Sequence, residues 1–409
     1  MTDAALDPIE SLAAIIRDPA IRTNPHPTYH RLRSETPILR LAQGEFLLTR
    51  WDDCEAVLRD TRFSSHPGHR ISDLPMEQRT IREQAAASGD VSTLLFMDPP
   101  DHTRIRSLVS KAFTPRRIEA LRPHIAGISS AILDQAAETG HLDVVQDLGY
   151  ELPVTVICEL LGVPLEDRHM FGPWANDASR LLDGDTLSPE QNNAGLLAMM
   201  QFVQYFNGLF EERRARPTDD LVSALLAVEE AGEKLSEEEL RSIVVLLFIA
   251  GHETTMNLIG NGTAALLAHP DQLARLRSDP NLIGGAVEEM LRYDGPVHLT
   301  GRTATCDIEV AGVTIPKGQA AITLLAAANR DPARFDRPDD LDIARSDPRH
   351  LTFSHGIHYC LGAALARVEG QVAILNLVQR FERLELTAEP LYRDHFILRG
   401  LTALEVDVS

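Results

Sequence analysis

The sequence is poor in cysteine and poor in positive charge. Its four cysteines, Cys54, Cys158, Cys306 and Cys360, are scattered through 409 residues with no Cys-x-x-Cys spacing. That excludes a disulfide scaffold and a thiolate zinc knuckle, and it predicts a reducing, cytoplasmic setting. Lys and Arg number 39 against 60 Asp and Glu, a formal net charge of −21; phosphate binding needs an extended basic surface, so no nucleic-acid partner is expected. Residues 1–17 carry Asp3, Asp7 and Glu10 and no basic stretch ahead of an apolar one, so neither a signal peptide nor a membrane anchor is expected. Pro/Ser-rich linkers, charge blocks and internal repeats are lacking as well, which predicts a single domain over 1–409.

Only one run is apolar over a long distance. Residues 242–270 hold a single formal charge, Glu253, over a length that could span a bilayer. Their polar residues His252, Glu253, Thr254, Thr255, Asn257 and Asn261 fall in the middle, where lipid tolerates them least, so a buried core helix and no membrane is the expectation. Ser236-x-x-Glu239 supplies a capping box at its start. Apolar periodicity predicts further helices over 103–112, 115–138, 153–161, 191–215 and 219–231, and one over 52–59 capped by Asp52. Alternation at Ile308, Val310, Val313 and Ile315, a hairpin over 37–41 and 45–49, and strands within 384–387 and 396–408 add short sheets. The fold class is mainly α with a minor β portion.

Chemistry concentrates in Phe353-Ser-His-Gly356-Ile-His358-Tyr-Cys360-Leu-Gly362, which ends at the mouth of the helical pattern AALARVEGQVAIL. Free amides and the helix dipole there favour a thiolate, so Cys360 is expected to have a lowered pKa and to act as a metal ligand or nucleophile; the alternative is an inert buried thiol. On the long helix, Ala250, Glu253, Thr254 and Asn257 stand at i, i+3, i+4 and i+7, which places them on one face. A glutamate in so apolar a helix is costly, which favours function over packing, although Thr and Glu there could simply back-bond or cap a kink. Residues 102–118 contain Arg104, Arg106, Lys111, Arg116 and Arg117 and no acid, a local reversal of sign suited to an acidic partner or to a solvated helix face.

The spacing Phe-x-x-Gly-x-x-x-Cys-x-Gly resembles the haem-ligand loop of the cytochrome P450 family. The family's other stretches follow in order: Asp18-Pro to Pro27-x-Tyr29, Leu32-Arg33, Asp98-Pro-Pro-Asp-His102-Thr-Arg-Ile-Arg106, Ala250-Gly-His-Glu-Thr-Thr255, Glu289-x-x-Arg292, Leu299-Thr-Gly-Arg302, Ile315-Pro-x-Gly318 and Ala328-Asn-Arg-Asp-Pro332. The resemblance covers nearly the whole chain and departs at Ser354, where a glycine is common. It implies one large haem-enclosing domain, with Cys360 as the metal ligand of haem b (iron protoporphyrin IX). Cofactor contacts would come from His102, Arg106, Ala250, Arg302, Phe353, Gly356, His358 and Gly362, and catalytic proton delivery from Glu253 and Thr254. Glu289 and Arg292 would be structural. The implied enzyme is a monooxygenase that inserts one oxygen atom of O2 into a hydrophobic small molecule. Its pocket would draw on 66–97, 170–200, 243–250, 297–299 and the region of Phe396, with His298 as a polar contact. Electrons would come from a ferredoxin or flavodoxin, since no flavin or NAD fingerprint is visible. The same haem-thiolate chemistry also serves oxidative coupling, desaturation and C–C cleavage. Two rivals are a non-catalytic haem-binding sensor and a hydrolase built on Cys360 and His358.

Overall fold

Ser236 opens the longest helix, Glu237–Ala268, with the expected capping box. Its hydroxyl accepts from the Glu239 amide at 3.1 Å, and the Glu239 carboxylate accepts from the Ser236 amide at 2.9 Å, so two amides that a helix start leaves free are satisfied reciprocally. The computed structural model describes residues 10, 14–15, 18–70, 93–227 and 235–409. Within it this helix is a core element: it is long and apolar enough to cross a membrane, yet 67% of its most apolar window is buried inside the fold. Helices Glu151–Leu161, Ile283–Asp294 and Ala363–Arg380 pack against it, as does the wide turn Val144–Tyr150.

Other helices follow the predicted pattern with local shifts. The run 115–138 is two helices, Pro115–Ala120 and Arg122–Thr139, because Pro123 lacks an amide and opens a new first turn. Asp52 is not a cap: the helix is Trp51–Arg59, Arg50 precedes it, and the first amide is satisfied from across the fold by Asp331 Oδ2 at 2.9 Å. The helix expected over 219–231 is observed as Leu221–Ala227, and its last positions lie outside the described residues. A five-stranded sheet runs in the order Ile38–Arg40, Phe46–Leu48, Ala320–Thr323, Thr300–Ala304, Phe63–Ser64. Three short strands, His141–Asp143, Glu405–Val408 and Leu384–Leu386, form a second sheet. The class is mainly α with minor β, in one large domain.

Glu289 and Arg292 are both fully buried and bonded through Nε at 2.7 Å and Nη2 at 2.8 Å. Arg345 adds Nε contacts to the same carboxylate at 3.0 and 3.1 Å. Replacing Glu289 with Ala strands two buried guanidinium groups, and removing one partner of such a pair costs about 3–5 kcal/mol. Chemical denaturation of the Glu289→Ala variant should show a loss of that size, or no soluble protein.

Candidate functional site

The cysteine loop is shaped by backbone before side chains matter. The Cys360 amide donates to Phe353 O at 2.8 Å, closing the loop, and Gly362 precedes the helix Ala363–Arg380. Gly356 sits at φ +68, and a Cβ there would fall 2.5 Å from the Leu58 carbonyl, so only glycine fits. Phe353 is buried beneath the loop, with the Arg367 guanidinium 4.6 Å from its ring centroid. Ser354 is held at φ +60, the left-handed region that favours glycine, and its buried hydroxyl has no hydrogen-bond partner. The departure at 354 therefore has a backbone cost that the sequence alone did not show.

Burial pushes the Cys360 thiol up, against the pull of the Gly362 and Ala363 amides and of Arg106 and Arg367. The expectation of a lowered pKa is corrected: desolvation outweighs the helix mouth, and a bound metal ion would be needed to hold the thiolate. No hydrogen bond links Cys360 to His358 among the described residues; the His358 ring lies against His102 instead, with centroids 4.4 Å apart. That geometry does not suit a Cys-His nucleophile.

Two guanidinium groups and two neutral imidazoles converge here, with Asp98 nearby but no carboxylate ion-paired to Arg302 or Arg106 among the described residues. His102 Nε2 and His358 Nε2 are buried and unpartnered. Arg302 is buried and bonds only Thr300 Oγ1 and Gly301 O, at 3.2 and 2.7 Å, with no carboxylate paired to it among the described residues. Arg106 is half-buried and donates to Tyr359 O at 2.5 Å. Burial, then Arg302 and His102, hold His358 down at about 3, and burial lowers Arg302 to about 10. Two guanidinium groups and two unpartnered imidazole nitrogens gathered in one place are the complement of a buried dianion, and the two carboxylates of a haem fit that demand.

The long helix contributes the opposite wall. Ala250 is exposed in mid-helix while Phe248 and His252 beside it are buried, which marks an open space against that methyl. Thr254, one turn on, is partly exposed to the same side and donates to Ala250 O at 2.9 Å. Glu253 does not share this face. It is 3% exposed and ion-paired with Arg393, whose Nη2 also donates to Asn176 Oδ1 at 2.8 Å. The four residues expected on one face thus divide, Ala250 and Thr254 toward the hollow, Glu253 and Asn257 toward the C-terminal segment.

His298 is likewise turned from the hollow: it is 4% exposed, with Nδ1 at 3.1 Å from the Tyr29 hydroxyl. Arg104 leaves the basic patch, since Glu239 and Asp101 neutralise it, whereas Lys111, Arg116 and Arg117 are exposed. Sequence reasoning missed Arg393 and Asn176, which no local pattern marks. It also missed Glu369, buried beside Thr255 and pushed up by burial to about 8; an acid on the apolar stripe of the post-cysteine helix was its one available signal.

A family model described as Cytochrome P450 matches residues 66–399. The chain is 44% identical over 394 residues to the protein named Vitamin D(3) 25-hydroxylase of Pseudonocardia autotrophica, covering 94% of each. It is 41% identical to Cytochrome P450 monooxygenase PikC of Streptomyces venezuelae, covering 98% of this chain and 95% of that one. Among solved structures, Mycobacterium smegmatis CYP164A2 in its ligand-free state is similar with a TM-score of 0.90 at 39% identity, over 98% of this chain and 100% of that one. P450BioI in complex with acyl carrier protein ligated to hexadec-9Z-enoic acid gives 0.87 at 39% identity, over 96% and 99%.

The strained Ser354 is directly testable. Ser354→Gly removes both the left-handed penalty and the unpartnered hydroxyl, and should stabilise the protein by about 1–2 kcal/mol, read as a higher denaturation midpoint at unchanged slope.

Proposed function

The chain belongs to the cytochrome P450 family, and from that premise we propose that Cys360 would ligate the iron of a haem b whose propionates would be received by His102, Arg106, Arg302 and His358. The observation that carries this reading is the buried Arg302 with no carboxylate paired to it among the described residues, beside two buried and unpartnered imidazole nitrogens of His102 and His358. When bound, the haem supplies the centre at which O2 is reduced and one of its oxygen atoms is inserted into a hydrophobic small molecule, the other leaving as water. Electrons come from a separate redox partner.

The chain's own residues divide the remaining work. Phe353 and Gly356 set the loop so that the Cys360 sulfur is presented from below, and Gly362 starts the helix that anchors it. Ala250 keeps its side of the hollow open with a methyl group. Thr254, whose hydroxyl now returns to Ala250 O, places an exchangeable proton beside that space, and Glu253 is the acid that resupplies it. Lys111, Arg116 and Arg117 continue the chain beyond the helix whose Arg106 touches Tyr359, and Ile357 and Tyr359 are exposed on the loop itself. A basic rim around an apolar centre suits a small acidic carrier, a ferredoxin or flavodoxin, in the cytoplasm.

Exchange of Cys360 for Ser should abolish the thiolate-type absorption and the turnover together; retention of both would overturn the ligand assignment. Thr254→Ala should leave electron consumption running while product falls, measured as product formed per electron supplied. Unchanged coupling would remove Thr254 from proton delivery.

A further inference from the structure

Behind Glu253, on the side away from Thr254, a cavity lies between the N-terminal helices and the C-terminal strands. Tyr29, His298, Tyr392, Arg393, His395 and Arg399 form much of its wall, and it is partly open to solvent. Its size suits water and not a substrate. Arg393 is one of its cations, and the same guanidinium pairs with Glu253. Gly400 belongs to the same wall and abuts Asn257, one turn from Glu253; a Cβ at 400 would fall 1.9 Å from Asn257 Oδ1, so glycine is what lets the C-terminal segment come this close to the long helix.

The polar atoms along this seam are unusually unsatisfied. His298 Nε2, both ring nitrogens of His395 and both polar atoms of the Asn257 amide are buried without a hydrogen-bond partner. Groups of this kind normally bind ordered water. Around them stand Asp183, 3.7 Å from His395, and Asp294, held by Arg399 at 2.5 Å with His26 at 3.8 Å. Burial keeps His298 and His395 far below the usual histidine range. Each is therefore neutral at physiological pH, with one ring N–H to give and one ring nitrogen to receive.

We propose that this seam is the path by which solvent protons reach Glu253, with water in the cavity linking His298 and His395 to the Arg393–Glu253 pair. The inference rests on the reading of Glu253 as the proton-supplying acid. Arg393 passes no proton, because a guanidinium stays charged; it fixes the carboxylate at the cavity wall and is a positioning residue. A cavity water that gives a proton to Glu253 takes one from an imidazole N–H, and that imidazole is reprotonated at its other nitrogen, His298 Nδ1 by the Tyr29 hydroxyl that faces it at 3.1 Å and His395 by a further water; Tyr29 lines the cavity and takes its proton back from water there. One proton moves inward, no electron moves, and the tautomers reset by ring-nitrogen exchange.

Two measurements test it. A high-resolution crystal structure of the haem-loaded wild-type protein should show ordered water hydrogen-bonded to His298 Nε2 or His395 and to the Arg393 side; a dry cavity would overturn the proposal without any variant. In the His298→Leu and His395→Leu proteins, product per electron should drop severalfold and the solvent isotope effect on turnover should rise, with the substrate-induced spectral shift unchanged; His298→Gln should recover most of the coupling. Wild-type coupling and isotope effect in both Leu variants, alongside a Glu253→Gln protein that does uncouple, would sink the seam alone. If Glu253→Gln is itself fully coupled, the reading of Glu253 falls and the seam with it.

Discussion

The structure hangs on one buried ion pair. Arg292 directs Nε and Nη2 to Glu289 and its remaining donors to the carbonyls of Asn329, Pro338 and Asp340, at 2.7 to 3.0 Å. Arg345 fills the other side of the Glu289 carboxylate and takes the carbonyls of Asp336, Arg337 and Asp340. The stretch 329–345 has no strand or helix to satisfy those carbonyls, and buried carbonyls must be paired. Two guanidinium groups do it in place of a ladder. From there order passes to the site: Asn329 accepts from the Leu351 amide at 2.7 Å and donates to Thr352 Oγ1 at 2.9 Å, and Thr352 donates to Leu291 O at 2.6 Å. Phe353, which closes the cysteine loop, is the next residue. A pair that on an exposed helix would contribute tenths of a kcal/mol is here, through burial, the foundation of the cysteine loop.

Electrostatics in the hollow run against the charge of the whole chain. In a protein of net charge −21, His102, Arg106, Arg302 and His358 gather where no acid pairs with Arg302, and their mutual repulsion depresses His358 beyond what burial does. Such a cluster is a destabilised arrangement until an anion arrives, so part of the affinity for the anion is already stored in the fold. The thiol shows the complementary logic: desolvation favours the protonated form of Cys360, so a metal ion held there would have to replace that proton.

Much of this was legible in the sequence, and the parts that were not share a cause. Ser236 and Glu239 announced the long helix because a capping box is a local device. Phe353, Gly356 and Cys360 were legible because their spacing encodes a loop. Asp52 misled because the helix starts one residue earlier, at Trp51, whose amide is held by Asp331, 280 positions away in sequence. Arg393 was invisible for the same reason: its partner Glu253 is 140 residues distant, and neither neighbourhood hints at the other. The Cys360 pKa went the wrong way because a helix mouth is read locally while desolvation depends on everything packed around it. Ser354 shows the converse, a residue whose chemistry looked neutral until its φ was known.

The division of polar residues on the long helix explains why an acid and an alcohol stand side by side there. Consecutive residues of an α-helix point about 100° apart, so Glu253 and Thr254 cannot both face the hollow. Thr254 shares one face with Ala250 at i−4. Glu253 shares another with Asn257, which abuts Gly400, and Asn261, whose amide donates to Asp294 O and Arg399 O at 3.1 Å each. The helix is thus a partition with an apolar body, the hollow on one side and a polar seam to the N- and C-terminal segments on the other. Glu253 and Thr254 are the adjacent residues that straddle it, one reaching Arg393 and the other Ala250 O. A helix with its acid and alcohol four residues apart would place both on the same side; adjacency is what lets this one present a polar group to each side while its body stays apolar.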